Sequence, residues 1–263
     1  MLENVLRIAR ETTLYVPDLP VAGNELFDGA FFSAHERDFA RARALLADER
    51  SKEIFDRVIE SKLTGDPLPL LCCCTTAEED YKEIFRTGSY EFCGDLGAYD
   101  GDTAKELAAV CPNLQKIVSV EPDPRTFRRL LKNVEGLPVE AVEGALWSGE
   151  ETLSFSASGG RGAALGGAGK KTPVRGVTVD SLFEDTRADY LKFDVEGAEK
   201  EALRGAEKVI SRDRPDLLVS VYHRPEDLFA LPLFIAERWP FYKFCLRRRA
   251  VLPAWDLNLC CVK

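Results

Sequence analysis

The period of apolar positions changes near residue 88, and that change divides the chain. Before it, Phe39, Ala42, Leu45 and Leu46 recur at helical spacing, and Ile54, Phe55, Val58, Ile59 and Leu63 form a second helical stripe. Asp48 stands where the second helix needs an N-cap, and Gly65 stands where it should stop. The run LPLLCCC (68–74) reads as a short buried segment and a strand candidate. Either Thr75 with Glu78 or Thr76 with Glu79 supplies a capping box for a helix through Tyr81 and Phe85. Residues 1–88 therefore read as a helical N-terminal extension.

From residue 89 to 263 the pattern alternates between short apolar runs and helical stretches. Strands are expected at the run ending in Asp95 and at 117–120, 139–142, 190–193 and 217–222. Asp123, Pro124 and Gly136 mark the start and stop of one intervening helix, and others are expected at 198–210 and 226–237. Such alternation predicts an α/β fold with a mostly parallel sheet covered on both faces. The last two strand candidates, 242–246 and 257–262, are joined by a turn-rich link that suits a C-terminal antiparallel hairpin. The glycine-dense stretch 159–169 reads as a flexible hairpin or loop in preference to a flap over a site.

Composition narrows the class. Hydrophobic residues at 45% and charged residues at 30% are those of an ordinary globular protein, and 263 residues hold one large domain or a domain with an addition. A net charge of -9 argues against nucleic acid as a partner. The run Arg247-Arg248-Arg249 reads as a solvated strand end. No apolar run approaches the ~18 residues of a membrane span. The first residues lack the basic start and apolar stretch of a secretory signal, so a cytoplasmic location is expected. The eight cysteines form no C-x-x-C pair and only two histidines accompany them. No metal site is assigned, and the thiols read as reduced, small apolar residues.

Candidate chemistry gathers at expected strand ends, beyond which ligands bind in open α/β sheets. In YEFCGDLGAYDGDTAKEL (90–107), a strand ends in Asp95, a turn follows through Gly97, Ala98 and Gly101, and a helix begins near Thr103. Turn and helix N-terminus suit a ligand with a negative group. The glycine spacing departs from the G-x-G-x-x-G of dinucleotide binders and points to a smaller adenosyl ligand. Glu121, ending the next strand, can accept hydrogen bonds from ribose hydroxyls. At the third strand end Glu143, Gly144 and Ala145 are placed to line an adenine edge, with a backbone contact favoured at Gly144. Asp194 and His223 end two further strands and are both candidates for a general base. Asp194 could equally hold a cofactor amino group. His35 is given no role.

Four segments together carry a family resemblance: DLGAYDGDT (95–103), VEP (120–122), VDSL (179–182) and above all YLKFDVEGAE (190–199). The chain resembles the FkbM family of S-adenosylmethionine-dependent methyltransferases. The resemblance implies a class I methyltransferase Rossmann-like sheet, S-adenosylmethionine as cofactor, and methylation of a hydroxyl on a sugar, polyketide or similar small molecule or glycan acceptor. On that reading the residues at the strand ends become candidate cofactor contacts, Asp95, Gly97, Ala98, Gly101, Thr103, Glu121, Gly144, Ala145 and Asp194, with His223 or Asp194 the catalytic candidate. One departure stands out. Many similar chains carry Arg-His in the strand near the C-terminus, where this one has Arg247-Arg248-Arg249. A non-catalytic binding module on the same fold is the competing reading.

Overall fold

The structure, a computed structural model, describes Ile8 and residues 12–22, 25–156 and 171–263. The glycine-dense stretch 159–169 lies outside the described residues. Packing divides the chain into two compact units, Met1–Ile84 with Ser220–Cys261, and Phe85–Val219 with Val262–Lys263. Residues 220–261 thus group with the N-terminal segment, although sequence pattern alone joined them to residues 89–219.

The first unit begins with helices α1 (Gly29–Leu45), α2 (Glu49–Thr64), α3 (Leu68–Leu71) and α4 (Ala77–Glu83). Asp48 caps α2 by accepting from the Ser51 N–H, and Gly65 closes it at φ 73°. The capping box of α4 is the Thr76–Glu79 pair. The strand expected at 68–74 is instead the short helix α3, entered through Pro67 with a proline in its first turn. A short apolar run carries no period, so proline chemistry decides between helix and strand.

The C-terminal part of this unit contributes α10 (Asp227–Arg238), β9 (Lys243–Arg248) and β10 (Leu257–Val262), with β9 and β10 adjacent as the expected antiparallel hairpin. Helix α1 packs on α10 through an aromatic cluster in which the Phe39 and Phe229 ring centroids are 4.8 Å apart and His35 stacks on Phe229 at 5.0 Å.

The reading of Arg247-Arg248-Arg249 as a solvated strand end is corrected. Arg247 and Arg248 are buried and Arg249 is half-buried. Arg247 pairs with Asp48 and donates to Ser51 Oγ at 2.9 Å. Arg248 donates to the Leu70 carbonyl at 2.8 Å, and Arg249 pairs with the buried Asp80 at 2.5 Å. Buried guanidinium groups need such partners, so the run clasps α2, α3 and α4 to β9.

The second unit is the sheet that carries the candidate site. Strands β1 (Phe92–Leu96), β2 (Lys116–Glu121), β3 (Val139–Glu143), β7 (Tyr190–Phe193) and β8 (Asp216–Ser220) run parallel in the order β3-β2-β1-β7-β8. Helices α5 (Asp102–Val110) and α6 (Pro124–Asn133) make the first two crossovers. Asp123 caps α6 by accepting from the Arg125 and Thr126 N–H groups, with Pro124 in its first turn. A small second sheet, β4 (Ala145–Leu146), β5 (Thr152–Ser156) and β6 (Lys171–Val177), has the order β4-β6-β5, with β5 and β6 antiparallel. After the short helix α7 (Val179–Leu182) and β7, the helix expected at 198–210 is two helices, α8 (Glu199–Arg204) and α9 (Glu207–Asp213), broken at Gly205. The Gly205 carbonyl there accepts from the Asp180 N–H at 2.8 Å.

Behind the sheet's amino end, Asp216 is fully buried and accepts from the Tyr90 hydroxyl at 2.7 Å and Arg86 Nη2 at 2.8 Å. All eight cysteines are free thiols, and Cys93, Cys260 and Cys261 fill strand positions as expected. No helix among the described residues is long and apolar enough to cross a membrane.

Candidate cofactor site at the carboxyl end of the parallel sheet

In a parallel sheet the carboxyl ends of neighbouring strands open into one crevice. The sequence places three acidic residues there, and the second unit brings them together. Asp95 lies near the end of β1 and Glu121 ends β2, while Asp194 directly follows β7. The β1 and β7 register sets Asp95 beside Lys192, and the β1 and β2 register sets it beside Ser119. A polar row thus crosses three strands whose other residues are largely apolar.

Asp95 is fully buried, and among the described residues neither carboxylate oxygen has a hydrogen-bond partner. Its charge is met by the Lys192 ammonium at 3.6 Å, an ion-pair distance too long for a hydrogen bond. The same ammonium lies 3.6 Å from Asp194 Oδ2 and donates to Thr103 Oγ1 at 2.9 Å. Burial raises the Asp95 carboxyl to about 6 against the pull of Lys192, with Asp102 and Asp194 adding to the rise.

Lys192 received no role from sequence, yet the signal was present. A lysine inside a strand flanked by Leu191 and Phe193 is a half-buried cation that calls for a carboxylate.

The turn after β1 is held by its own backbone. The Gly97 and Ala98 N–H groups both donate to the Val120 carbonyl, at 3.1 and 2.9 Å, and the Gly101 N–H donates to the Ala98 carbonyl at 2.8 Å. The room left by Gly97 is filled by protein: a Cβ there would meet the Asp194 carbonyl oxygen at 1.9 Å. A Cβ on Gly101 would meet Val134 and Leu130 at 2.7 and 2.9 Å. Both glycines have φ near 90°, which L side chains rarely adopt. The turn is therefore a rigid shelf braced against β7 and α6.

Tyr99 also has positive φ, 47°, an unfavourable backbone for an aromatic residue. Its N–H donates to Glu121 Oε2 at 3.0 Å and its ring lies under the Arg129 guanidinium, 5.1 Å away. Glu121 Oε1 accepts from the Asp123 N–H at 2.9 Å. Each oxygen keeps a second lone pair for a hydroxyl donor. Burial pushes the Glu121 carboxyl up to about 7 against these two N–H bonds.

At the third strand end the Gly144 N–H donates to the Glu121 carbonyl at 3.2 Å, and Ala145 is buried in β4. After β7, Glu196 (φ 53°) and Gly197 (φ 93°) turn the chain tightly. Glu199 Oε1 accepts from the Val195 N–H at 2.9 Å and the Gly197 N–H at 3.3 Å, which fixes the loop carrying Asp194. His223 lies in the first unit, on the segment between β8 and α10, and is fully buried.

This fold is that of the Rossmann-like methyltransferases. A structural match at TM-score 0.73 and 23% identity, covering 89% of the chain, is methyltransferase FkbM from Methylobacillus flagellatus KT; the chain spans 60% of that structure's length. The model of the methyltransferase FkbM domain matches residues 95–241, and the chain belongs to that family. Two further solved structures are similar at lower level. Aeropyrum pernix fibrillarin, in complex with natively bound S-adenosyl-L-methionine, has 14% identity, 66% coverage of each chain and TM-score 0.43. Precorrin-6y C5,15-methyltransferase from Geobacter metallireducens GS-15 has 11% identity, coverage of 71% of this chain and 88% of that one, and TM-score 0.43. No curated protein matches the chain.

Proposed function

We propose that the chain is an S-adenosylmethionine-dependent methyltransferase that methylates a hydroxyl on a sugar, polyketide or similar small molecule. The observation that carries the reading is the pair of buried carboxyls, Asp95 and Glu121, at the ends of adjacent strands within the family's matched span. A buried carboxylate with two oxygens lacking hydrogen-bond partners fits a ligand that brings an ammonium. Asp95 would meet the cofactor's amino group, and Glu121 the ribose hydroxyls. Thr103 and the first turn of α5 would face the methionine carboxylate. Gly97, Ala98 and Gly101 would form the shelf, Gly144 and Ala145 would line the adenine edge, and Asp194 would close the methionine side. S-adenosylmethionine supplies an activated methyl group, so the chain's residues mainly align an acceptor hydroxyl and remove its proton. His223 is proposed as that base, with Asp194 the rival.

Calorimetric titration with S-adenosylhomocysteine tests the cofactor assignment, and absence of measurable binding would overturn it. Binding without methyl transfer to any of a panel of sugar and polyketide alcohols would favour the binding module. Glu121→Ala is expected to weaken S-adenosylhomocysteine about 10- to 100-fold, the worth of hydrogen bonds to a charged group. Unchanged affinity would remove Glu121 from the ribose contact.

The raised carboxyls give a pH signature with a definite sign. Folding draws protons onto Asp95 and Glu121, so their contribution to stability is fully present below about pH 4 and lost as the pH rises through about 6 and about 7. Cofactor affinity runs the other way, rising as both groups ionise over that range. Calorimetry from pH 5 to 8 reads the affinity, and a flat profile would count against both assignments.

A further inference from the structure

We infer that Lys192 is a positioning residue that holds Asp95 ionised for the cofactor. The inference rests on the function proposed above. Asp95 itself has no water-exposed surface, and an uncompensated carboxylate there would take up a proton. The charged and titratable groups facing it come from every packed element: Lys192 and Asp194 from β7 and its end, Asp102 from α5, Glu121 from β2, and the Cys93 thiol from its own strand. Lys192 is the cation of that set.

Contacts to a hydroxyl and two carboxylates hold its ammonium in place. It donates to Thr103 Oγ1 at 2.9 Å and lies 3.6 Å from both Asp95 and Asp194. Because the Thr103 oxygen accepts from Lys192, the threonine's own hydrogen turns elsewhere and can be donated to an anionic ligand group. The β7 register places Lys192 directly beside Asp95 and one face away from Leu191 and Phe193. Lys192 thus acts on the cofactor through Asp95, with Thr103 and Asp194 as its anchors.

The experiment is S-adenosylhomocysteine titration from pH 5.5 to 8.5 on wild type, Lys192→Met, Lys192→Arg, Asp95→Asn and Asp95→Asn/Lys192→Met. In Lys192→Met the rise of affinity with pH is expected to move up by about two units or more. At pH 7 its affinity should fall at least ~10-fold, with a proton released on binding. Lys192→Arg should restore the wild-type midpoint. In the Asp95→Asn background the methionine substitution should change affinity less than about two-fold, because the group Lys192 acts through is gone. That neutral pair keeps the test available if Lys192→Met alone does not fold. A wild-type pH midpoint in Lys192→Met, or an equal loss in the Asp95→Asn background, would overturn the inference. Absence of binding by the wild type would defeat the proposed function instead, so the two failures are distinguishable.

Discussion

Gly97→Ala is expected to destabilise the protein by about 3 kcal/mol and to abolish tight S-adenosylhomocysteine binding. Two costs add. A positive φ costs an L residue about 1–2 kcal/mol, and overpacking costs about 1–3 kcal/mol more. The second cost is specific to this site, since the new Cβ would lie 1.9 Å from the Asp194 carbonyl oxygen. Backbone on both sides is committed, because Gly97 donates to the Val120 carbonyl and the Asp194 N–H donates to the Leu96 carbonyl at 2.9 Å. Relief therefore requires the β1 turn and the Asp194 loop to separate, which removes the shelf on which the cofactor would lie.

Gly136→Ala is the internal control. Gly136 has a similar φ, 83°, but a Cβ there meets nothing within 4 Å. It should lose only the backbone cost. Thermal melts of the two variants should differ by roughly 4–8 °C. Equal melts, with cofactor binding retained in Gly97→Ala, would show that the turn is not braced against Asp194.

Much of the fold could be read because its signals are local. Asp48, Asp123 and the Thr76–Glu79 pair cap helices within three residues of themselves. The strands at 190–193 and 257–262 have the bounds that their apolar runs mark. What could not be read depends on distant partners. Arg248 is buried because the Leu70 carbonyl and Cys74 Sγ meet its guanidinium, and no charge pattern within 247–249 says so. The break at Gly205 is set by a contact with Asp180 that helical periodicity does not register.

The candidate site divides in the same way. Asp95 and Glu121 could be found by their places at strand ends, because loops at the carboxyl edge of a parallel sheet share one crevice. The glycines of the turn were legible as a requirement for backbone freedom. That Gly97 yields its space to Asp194 was not, since it needs the packing of β1 against β7. Lys192 was visible as a residue and hidden as a function. Only the strand register places it beside a carboxylate far away in sequence, and an intrastrand pattern cannot supply register.

His223→Ala is expected to lower turnover ~10²–10⁴-fold, the range of a lost general base, while S-adenosylhomocysteine affinity stays within about two-fold. An aliphatic hydroxyl is a weak nucleophile until its proton leaves, and the imidazole titrates nearer neutrality than any other ordinary side chain. The backbone around the residue is well fixed. The His223 carbonyl accepts from the Ala22 N–H at 2.8 Å, and the Arg224 N–H donates to the Asp227 carboxylate at 2.8 Å as the chain enters α10. A base so anchored has a defined direction of approach, which proton transfer requires.

The split between affinity and turnover separates His223 from its rival. Asp194→Asn should lower S-adenosylhomocysteine affinity if Asp194 holds the methionine side, and should lower turnover alone if it is the base. If His223→Ala retains turnover, the imidazole is a buried structural group and Asp194 takes the base role. If it loses turnover and cofactor affinity together, the residue shapes the fold instead of the chemistry.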